Sequence, residues 1–312
     1  MSDQRRGLLA GVGAYLLWGL FPLYWPLLKP AGAVEILSHR VAWSLVTMTI
    51  VLVLAGRTAQ FRTLLRTPRS RRLLALAAVV IAINWGTYIW GVNHHKVVET
   101  SLGYFINPLV TVTLGVVFLH ERLRRAQWAA VGLGAVAVAI ITVDYGRPPW
   151  IALTLAATFG TYGLVKKQAT VTAPVGLFVE TATVALPAAV TIAIIGEQGR
   201  STFATHTTWH TLAMMSAGIA TIVPLLLFAG AATRLPLVTL GLLQYLAPVL
   251  QLLVGTLIQH EALPASRLVG FGLVWVALAV LTVDGWRSRL PSAPAETAAA
   301  PVALEAEVSA AH

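Results

Sequence analysis

The chain contains a series of long apolar stretches separated by short polar connections, and this pattern constrains its fold more than any other feature. A helix needs about 20 mostly apolar residues to cross the hydrocarbon core of a bilayer. Ten stretches meet that requirement, at residues 7–28, 33–55, 73–92, 98–119, 125–143, 149–167, 175–196, 210–232, 238–259 and 265–284. None shows the two-residue alternation of a transmembrane β-strand. The sequence therefore predicts an all-α, polytopic membrane protein of ten transmembrane helices.

The composition supports this fold class. Hydrophobic residues make up 57% of the chain and charged residues only 11%, against roughly 25% charged in an ordinary soluble protein. A soluble chain of 312 residues could not bury that much apolar surface in one core. The absence of cysteine excludes disulfides, thiolate catalysis and cysteine-held metals.

The net charge of +10 would suit nucleic-acid binding if it were concentrated on one surface, but it follows the predicted topology instead. With the N-terminus inside, sixteen of the 22 Lys and Arg residues fall on inside segments, five fall on outside segments, and Arg40 lies within a span. This bias is what the positive-inside rule describes. We therefore expect a multi-pass protein of the inner (cytoplasmic) membrane with both termini cytoplasmic and no nucleic-acid partner.

The chain resembles itself after a shift of 140 residues. The shift aligns a proline, a His-Glu pair and a Thr-Val-Asp triplet: Pro108 with Pro248, His120-Glu121 with His260-Glu261, and Thr142-Val143-Asp144 with Thr282-Val283-Asp284. Each copy holds five spans, and an odd number of spans places the second copy upside down in the membrane. The predicted domains are a cytoplasmic N-terminus at 1–6, a first five-helix repeat at 7–143, a second at 149–286, and a disordered, Ala-, Pro- and Glu-rich cytoplasmic tail at 287–312.

Inverted repeats are typical of secondary transporters, whose substrate site lies between the two halves near the membrane midplane. A duplicated structural bundle without a transport role is the alternative, but the chain has almost no extramembrane mass for another activity. The predicted partners are a small-molecule substrate and membrane lipids, with the choice between monomer and homodimer left open. No phosphate-binding loop is present, so ATP-driven transport by this chain is not predicted.

Arg40 is the ionisable residue that most needs an explanation, because an unpaired charge in hydrocarbon costs several kcal/mol. It is interpreted either as a substrate-facing or gating cation in an aqueous cavity, or as half of a structural ion pair with Glu35 or Glu99. Trp43 follows Arg40 by three residues, so it shares that helical face and is a second candidate for the substrate site.

His39 and Glu180 are candidates for proton coupling or gating, together with Glu35 and Glu99. His39 and Glu180 align with each other when the chain is compared with itself at a weaker shift of 141 residues. An imidazole and a carboxylate on the two sides of a carrier could transfer protons. The alternative for Glu180 is a satisfied buried carboxyl, hydrogen-bonded to a neighbouring helix.

The third predicted span has an amide and aromatics on one helical face, Asn84, Trp85 and Tyr88, which suit an amphipathic organic substrate. An interhelical hydrogen bond is the alternative for Asn84. Trp90, nearer the end of the span, is better interpreted as a membrane-interface anchor.

Pro108 and Pro248 occupy equivalent positions in the two repeats, where a proline removes a helical hydrogen bond. Paired helix breaks are a sequence pointer to a transporter's binding site. The polar residues in the turns before them are additional candidates for substrate binding: Tyr104, Asn107, Gln244 and Tyr245. Prolines that only curve their helices are the alternative. His94, His95 and Glu99 could in principle hold a metal, but a wet loop explains them better, so no metal or other cofactor is expected.

Several motifs together resemble the RarD type of the EamA family, within the drug/metabolite transporter superfamily. They are SHRVAWS (38–44), NWGTYIWGVN (84–93), ETSLGYFINPL (99–109), LHERL (119–123) and RLPLVTLGLLQYLAP (234–248). The resemblance covers roughly residues 7–286, and it implies a ten-helix inverted-repeat carrier of the cytoplasmic membrane without a firm substrate. The His-His-Lys sequence at 94–96 departs from the family's usual single charge.

The sequence thus predicts a carrier of small organic metabolites or drugs, coupled to protons and working by alternating access, and not an enzyme. An intramembrane enzyme acting on lipid or isoprenoid substrates is the alternative. It would need a clustered catalytic set, whereas the intramembrane charges here are scattered over several spans. A channel is disfavoured because no helix has a continuous polar stripe.

Overall fold

The computed structural model describes residues 2–119, 123–169, 171–232, 234–235 and 243–287. Within these residues the secondary structure is helical and no strand is present, as predicted. The α-helices of the described residues are α1 Asp3–Tyr24, α2 Ala33–Leu54, α3 Thr58–Leu65, α4 Pro68–Asn93, α5 Val97–Leu119, α6 Arg125–Tyr145, α7 Trp150–Ala169, α8 Ala173–Glu197, α9 Thr208–Ala232, α10 Leu246–Leu253 and α11 Ala265–Arg287. A 3₁₀ turn, Trp25–Leu28, continues α1, and a π-helical turn, Val254–Ile258, continues α10.

Eight of these helices are long and apolar enough to cross a membrane: α1, α2, α4, α5, α6, α8, α9 and α11. Many of their large apolar side chains point away from the protein, and Leu54, Val143 and Leu186 are 82%, 81% and 73% exposed. A surface of this kind requires an apolar solvent such as lipid. The chain is therefore a multi-pass membrane protein.

The other two predicted spans differ from expectation. The stretch predicted at 149–167 forms α7, which is long enough, but Lys166 and Lys167 close to its end lower its hydropathy. Of the stretch predicted at 238–259, the described part forms only α10 and its π turn. The tail predicted after Arg287, and the Glu121 of the repeat, lie outside the described residues.

Two helical segments in the N-terminal half were not predicted from the sequence. The segment predicted as a short cytoplasmic N-terminus already enters α1 at Asp3, because the Ser2 hydroxyl accepts a hydrogen bond from the Arg5 N–H at 3.3 Å and caps the helix. Between the second and third predicted spans lies an additional short helix, α3. Its Leu64 packs with Leu74 of α4 against α8, which explains why a basic connection is helical.

The helices pack in pairs that join the two halves of the chain. The most extensive pairings are α6 with α11, α5 with α7, α2 with α8, α4 with α7, α2 with α9, and α1 with α9. Reciprocal ion pairs hold α6 and α11 together at both ends: Arg124 with Asp284 at 2.5 Å, and Arg267 with Asp144 at 2.6 Å. These two antiparallel helices are thus tied at both ends by groups that sequence alone did not pair.

Two prolines in and after α1 explain a second contact between the halves. Pro22 has no N–H to donate to the Trp18 carbonyl, and Pro26 has none for the Pro22 carbonyl. Side-chain amides from the α10 segment donate to these two carbonyls instead: Gln251 to Trp18 at 3.1 Å and Gln259 to Pro22 at 3.0 Å. The carbonyls freed by the prolines therefore find donors within the protein, as hydrocarbon demands.

The two prolines predicted to break their helices lie in different local structure. Helix α5 continues as an α-helix through Pro108, so this proline removes one hydrogen bond without ending the helix. Pro248 lies in the first turn of α10, where a missing N–H costs little because the first helical N–H groups have no intrahelical acceptor. The irregular backbone in the second half lies on both sides of α10, in the turn at Gln244 and Tyr245 that precedes Pro248 and in the π turn that contains Gly255.

Candidate functional site

The guanidinium of Arg40 is the centre of the site, and it is held by three helical segments. Arg40 is on α2 and only 3% exposed. Its Nε donates to the Thr221 hydroxyl of α9 at 2.7 Å. Its Cζ lies 3.9 Å from the ring centroid of Trp85 on α4 and 5.0 Å from that of Trp25, which begins the 3₁₀ turn. The cation is therefore enclosed by two aromatic faces and one hydroxyl, from three parts of the chain.

No carboxylate pairs with this cation in the described part of the chain. The two ion-pair partners considered from the sequence, Glu35 and Glu99, are both engaged elsewhere. A guanidinium presents five N–H donors, and the one hydrogen bond to Thr221 uses one of them. An aromatic face attracts the charge but accepts at most a weak N–H···π bond. The site therefore holds a desolvated cation whose remaining donors lack acceptors among the described residues.

Several polar groups near Arg40 are buried without a hydrogen-bond partner in the described structure. They are the indole N–H groups of Trp25 and Trp43 and the hydroxyl of Tyr88. Tyr88 is 3% exposed and packs edge-to-face on Tyr104, with ring centroids 5.7 Å apart. The Ser44 hydroxyl and His39 Nε2, on the same helix as Arg40, are also buried and unpartnered. Buried polar groups normally have partners, so this number of unpartnered groups on α2 and beside Arg40 is unusual.

A narrow cavity lies beside this cluster, between α4, α8 and α9. Trp85 forms one wall of it, and apolar side chains such as Ile81, Leu177 and Ile222 form most of the rest, with Glu180 at its edge. Its volume is about 10 Å³, far below the roughly 300–1,000 Å³ of typical ligand pockets. The space beside Trp85 is therefore nearly closed in this conformation.

Asn84 serves as a bridge between helices. Its amide donates to the Leu155 carbonyl at 3.0 Å and to the Thr158 hydroxyl at 2.9 Å, both on α7, and its oxygen accepts from Tyr104 at 3.3 Å. The interhelical hydrogen bond considered from the sequence is thus present. Trp90 stacks on His94 at 4.2 Å and lies 5.2 Å from Trp150, near the end of its helix, as an interface residue would.

The carboxylate of Glu35 anchors the connection between α8 and α9. It accepts hydrogen bonds from the Thr202 N–H at 2.7 Å, the Thr202 hydroxyl at 3.0 Å and the Ser201 hydroxyl at 3.3 Å. This brings the ring of Phe203 onto His39, with centroids 4.4 Å apart. The connection is folded onto α2 one turn away from Arg40, so Phe203 covers the site from this end.

The remaining two buried carboxylates are also paired. Glu99 bonds Arg147 at 2.9 Å and accepts from the Ile151 N–H at 3.2 Å, at the start of α7. The guanidinium of Arg147, in the connection after α6, has its pKa raised above its ordinary value by this hydrogen bond. Glu180 bonds Lys166 at 2.5 Å and the Tyr162 hydroxyl at 3.0 Å, so it is the satisfied carboxyl of the alternative interpretation.

Three of the predicted site residues lie apart from Arg40. Tyr245 packs against the apolar cluster of Phe105 and Leu278, next to Gln244 in the turn before α10. Asn107 has one long contact, 3.5 Å from the Thr111 hydroxyl on its own helix. The structure thus brings Arg40, Trp85, Tyr88 and Tyr104 together, but it does not add the second-repeat residues expected beside Pro248. The ring of Trp43 lies 6.2 Å from that of Phe203.

Several residues of the site were missed from the sequence. Thr221 and Trp25 contact Arg40, Phe203 covers His39, and Lys166 pairs with Glu180. Trp25 could have been found as a tryptophan beside a proline at a helix end, whereas Thr221 and Phe203 have no distinguishing sequence signal. Among the described residues no group of three or more His, Asp or Glu could hold a metal ion.

The chain is similar in sequence to the members of one protein family. A sequence profile described as the EamA-like transporter family matches residues 5–143. Protein RarD of Streptomyces exfoliatus is 54% identical over 97% of this chain and 96% of its own length. An uncharacterized transporter of Pseudomonas aeruginosa is 45% identical over 93% and 98%, and Protein RarD of Escherichia coli is 42% identical over 91% and 96%.

A solved crystal structure also aligns with this chain. It covers 90% of this chain and 99% of its own, with a TM-score of 0.59 and 19% sequence identity. This likeness shows a shared fold.

Proposed function

Because this chain belongs to the EamA-like transporter family, in its RarD type, and is a membrane transporter, we propose that it is a secondary carrier of small organic solutes, coupled to protons, that works by alternating access. The observation that carries the proposal is the Arg40 site. A buried cation with unpartnered polar neighbours between α2, α4 and α9 is a costly arrangement that a folded bundle does not need for stability. A ligand that enters from one side and leaves by the other would complete it.

Helix pairing supports two inverted five-helix repeats. The proposed repeats match α1, α2, α4, α5 and α6, in that order, to α7, α8, α9, α10 and α11. When each helix is exchanged for its match, the pairing of α1 with α9 becomes the pairing of α7 with α4, and both pairings are present. The same exchange relates α5–α7 to α10–α1 and α2–α9 to α8–α4, while α2–α8, α5–α10 and α6–α11 map onto themselves. A pseudo-twofold axis through the bundle would produce this pattern.

The proposed orientation places the protein in the inner membrane with both termini cytoplasmic, following the positive-inside bias. Phe203 and the Glu35-anchored connection then close the site on the outer side. Glu180, with Lys166 and Tyr162, lies nearer the inner side, where it is the candidate for proton coupling.

Reconstituted protein in liposomes loaded with a pH-sensitive dye would test the proposal. A mixture of acidic, amide and amine solutes added outside should change internal pH faster with protein than in protein-free liposomes, where acids and amines cross the lipid only as their neutral forms. Arg40→Ala and Trp85→Ala should abolish most of the signal while membrane expression stays normal. Glu180→Gln should retain counterflow of solute but lose the pH change.

Three outcomes would contradict parts of this account. Chemical conversion of a solute without flux would favour the intramembrane enzyme. Normal uptake in both the Arg40 and Trp85 variants would move the site elsewhere. Unchanged proton coupling in Glu180→Gln would remove that carboxylate from the mechanism.

A further inference from the structure

The buried carboxylates of the described chain leave the charge of Arg40 uncompensated. Glu35 is bonded to the connection after α8, Glu99 to Arg147, and Glu180 to Lys166. Asp144 of α6 is paired with Arg267 of α11, and Asp284 of α11 is paired with Arg124, the residue before α6. Arg40 is thus a cation for which the described protein supplies no counter-ion.

The unpartnered polar groups beside this cation and on its helix include donors that lack an acceptor. An indole N–H can only donate, and those of Trp25 and Trp43 are buried without acceptors. The Tyr88 hydroxyl is likewise buried and unpartnered. Tyr24, whose ring lies 4.9 Å from that of Trp25, is already bonded to Ser216 at 2.8 Å. What this position lacks is a group that accepts several hydrogen bonds and carries negative charge.

Resting on the proposed function, we infer that the substrate is an organic anion, a carboxylate on an apolar body, whose carboxylate binds Arg40. A guanidinium held by aromatic faces keeps N–H donors in a fork that matches two carboxylate oxygens. The apolar body extends past Trp85 into the space between α4, α8 and α9, which Ile81, Leu177 and Ile222 line and which the Lys166-paired Glu180 also borders. That space is only about 10 Å³ in this conformation, so these helices must separate for the body to enter. An acid then carries the counter-charge into the membrane with it, so the Arg40 charge is neutralised only when the substrate is bound.

The closest competing explanation is that the aromatic cage alone satisfies the cation. That explanation leaves the Trp25, Trp43 and Tyr88 polar hydrogens buried without acceptors. It also predicts that neutral and acidic ligands of equal shape bind equally well, which makes the two explanations separable by measurement.

Thermal unfolding of the purified full-length protein in detergent, followed by tryptophan fluorescence, tests the inference without requiring transport. The probes are 3-phenylpropionate, its amide, 3-phenylpropylamine, propionate and inorganic phosphate. A ligand that binds only the folded state raises the melting temperature as its concentration rises. We expect 3-phenylpropionate to bind at least about tenfold more tightly than each of the other four, since the charge-assisted hydrogen bonds and the apolar body are both needed.

Matched variants locate the binding. Arg40→Gln should weaken 3-phenylpropionate by about tenfold to a hundredfold, the loss expected for hydrogen bonds to a charged group. Tyr88→Phe should weaken it by about twofold to tenfold without lowering the melting temperature of the unliganded protein, because that hydroxyl has no partner to lose. Arg124→Gln, at an arginine already paired with Asp284, should leave the affinity unchanged.

The inference is overturned if the amide stabilises as well as the acid, if no probe stabilises, or if Arg40→Gln and Tyr88→Phe bind the acid like the wild type. Equal stabilisation by inorganic phosphate would instead indicate a phosphate or anionic-lipid headgroup site and would overturn the apolar carboxylate. Tyr88→Phe keeps the test decisive if Arg40→Gln does not fold. Binding of the acid without flux in liposomes would contradict only the carrier, whereas flux of neutral solutes without acid binding would contradict only this inference.

Discussion

Two buried charges lie at the same distance from the start of their helices, α2 and α8, and have opposite surroundings. Helix α2 begins at Ala33 and α8 at Ala173, so Arg40 and Glu180 are each the eighth residue of their helix. They are 3% and 4% exposed. Glu180 has an ammonium and a phenol within hydrogen-bond distance, whereas Arg40 has one hydroxyl and two aromatic faces.

The comparison shows that described side chains of the protein neutralise Glu180 but not Arg40. Breaking a buried ion pair leaves an uncompensated charge, so each partner of Glu180 stabilises the native state. Removing Arg40 takes away a charge that is already uncompensated. Stability and function should therefore separate between the two positions.

The largest expected effect is the loss of stability when the Lys166–Glu180 ion pair is broken. Lys166→Met should lower the free energy of unfolding by about 3 kcal/mol, the lower end of the range for a broken buried pair, because the Lys166 side chain is 23% exposed. Thermal unfolding in detergent measures this, and the double variant Lys166→Met/Glu180→Leu should recover most of the loss. Arg40→Met is the counterpart and should leave the melting temperature unchanged or higher. An equal loss in Arg40→Met would show that Arg40 has a structural partner.

A smaller effect is expected where α9 approaches α2 beside Arg40. A Cβ at Gly218 would lie 2.3 Å from the Trp43 carbonyl carbon, and backbone cannot move aside as a side chain can. Gly218→Ala should therefore cost about 2 kcal/mol and shift Thr221, one turn further along, away from Arg40. Gly163→Ala is the matched control, since nothing lies within 4 Å of its added Cβ. Equal melting temperatures for the two variants would argue against this close helix contact.

The smallest effect is expected at the single hydrogen bond that orients the guanidinium. Thr221→Val keeps the side-chain shape but removes the oxygen that accepts from the Arg40 Nε. Solute affinity should fall about twofold to tenfold, and the free energy of unfolding should fall by about 1 kcal/mol, because the buried Arg40 Nε–H then has no acceptor. Thr191→Val, whose hydroxyl bonds only its own helix at Pro187, should transport normally. Identical kinetics in both variants would mean that Arg40 needs no orienting partner.

The sequence predicted which types of residue form the candidate site, but it identified only some of the residues that belong to it. Arg40, Trp85 and Tyr88 were identified because polar and aromatic residues stand out within apolar spans. Gln244 and Tyr245 were included by analogy between the repeats, yet Tyr245 packs against a separate cluster. The direction in which a helix face points depends on the rotation of that helix against its neighbours, which residue spacing does not contain.

The sequence by itself determined the helical membrane class, the family and the approximate position of most spans. It could do so because a bilayer imposes a large cost on each polar residue, and that cost is readable residue by residue. Only the tertiary structure decided which buried charges are neutralised. Arg40 meets a threonine that is 181 residues away in the chain, and Glu180 meets a lysine on another helix. Contacts of that kind arise from the register between packed helices, so they exist only once the bundle has formed.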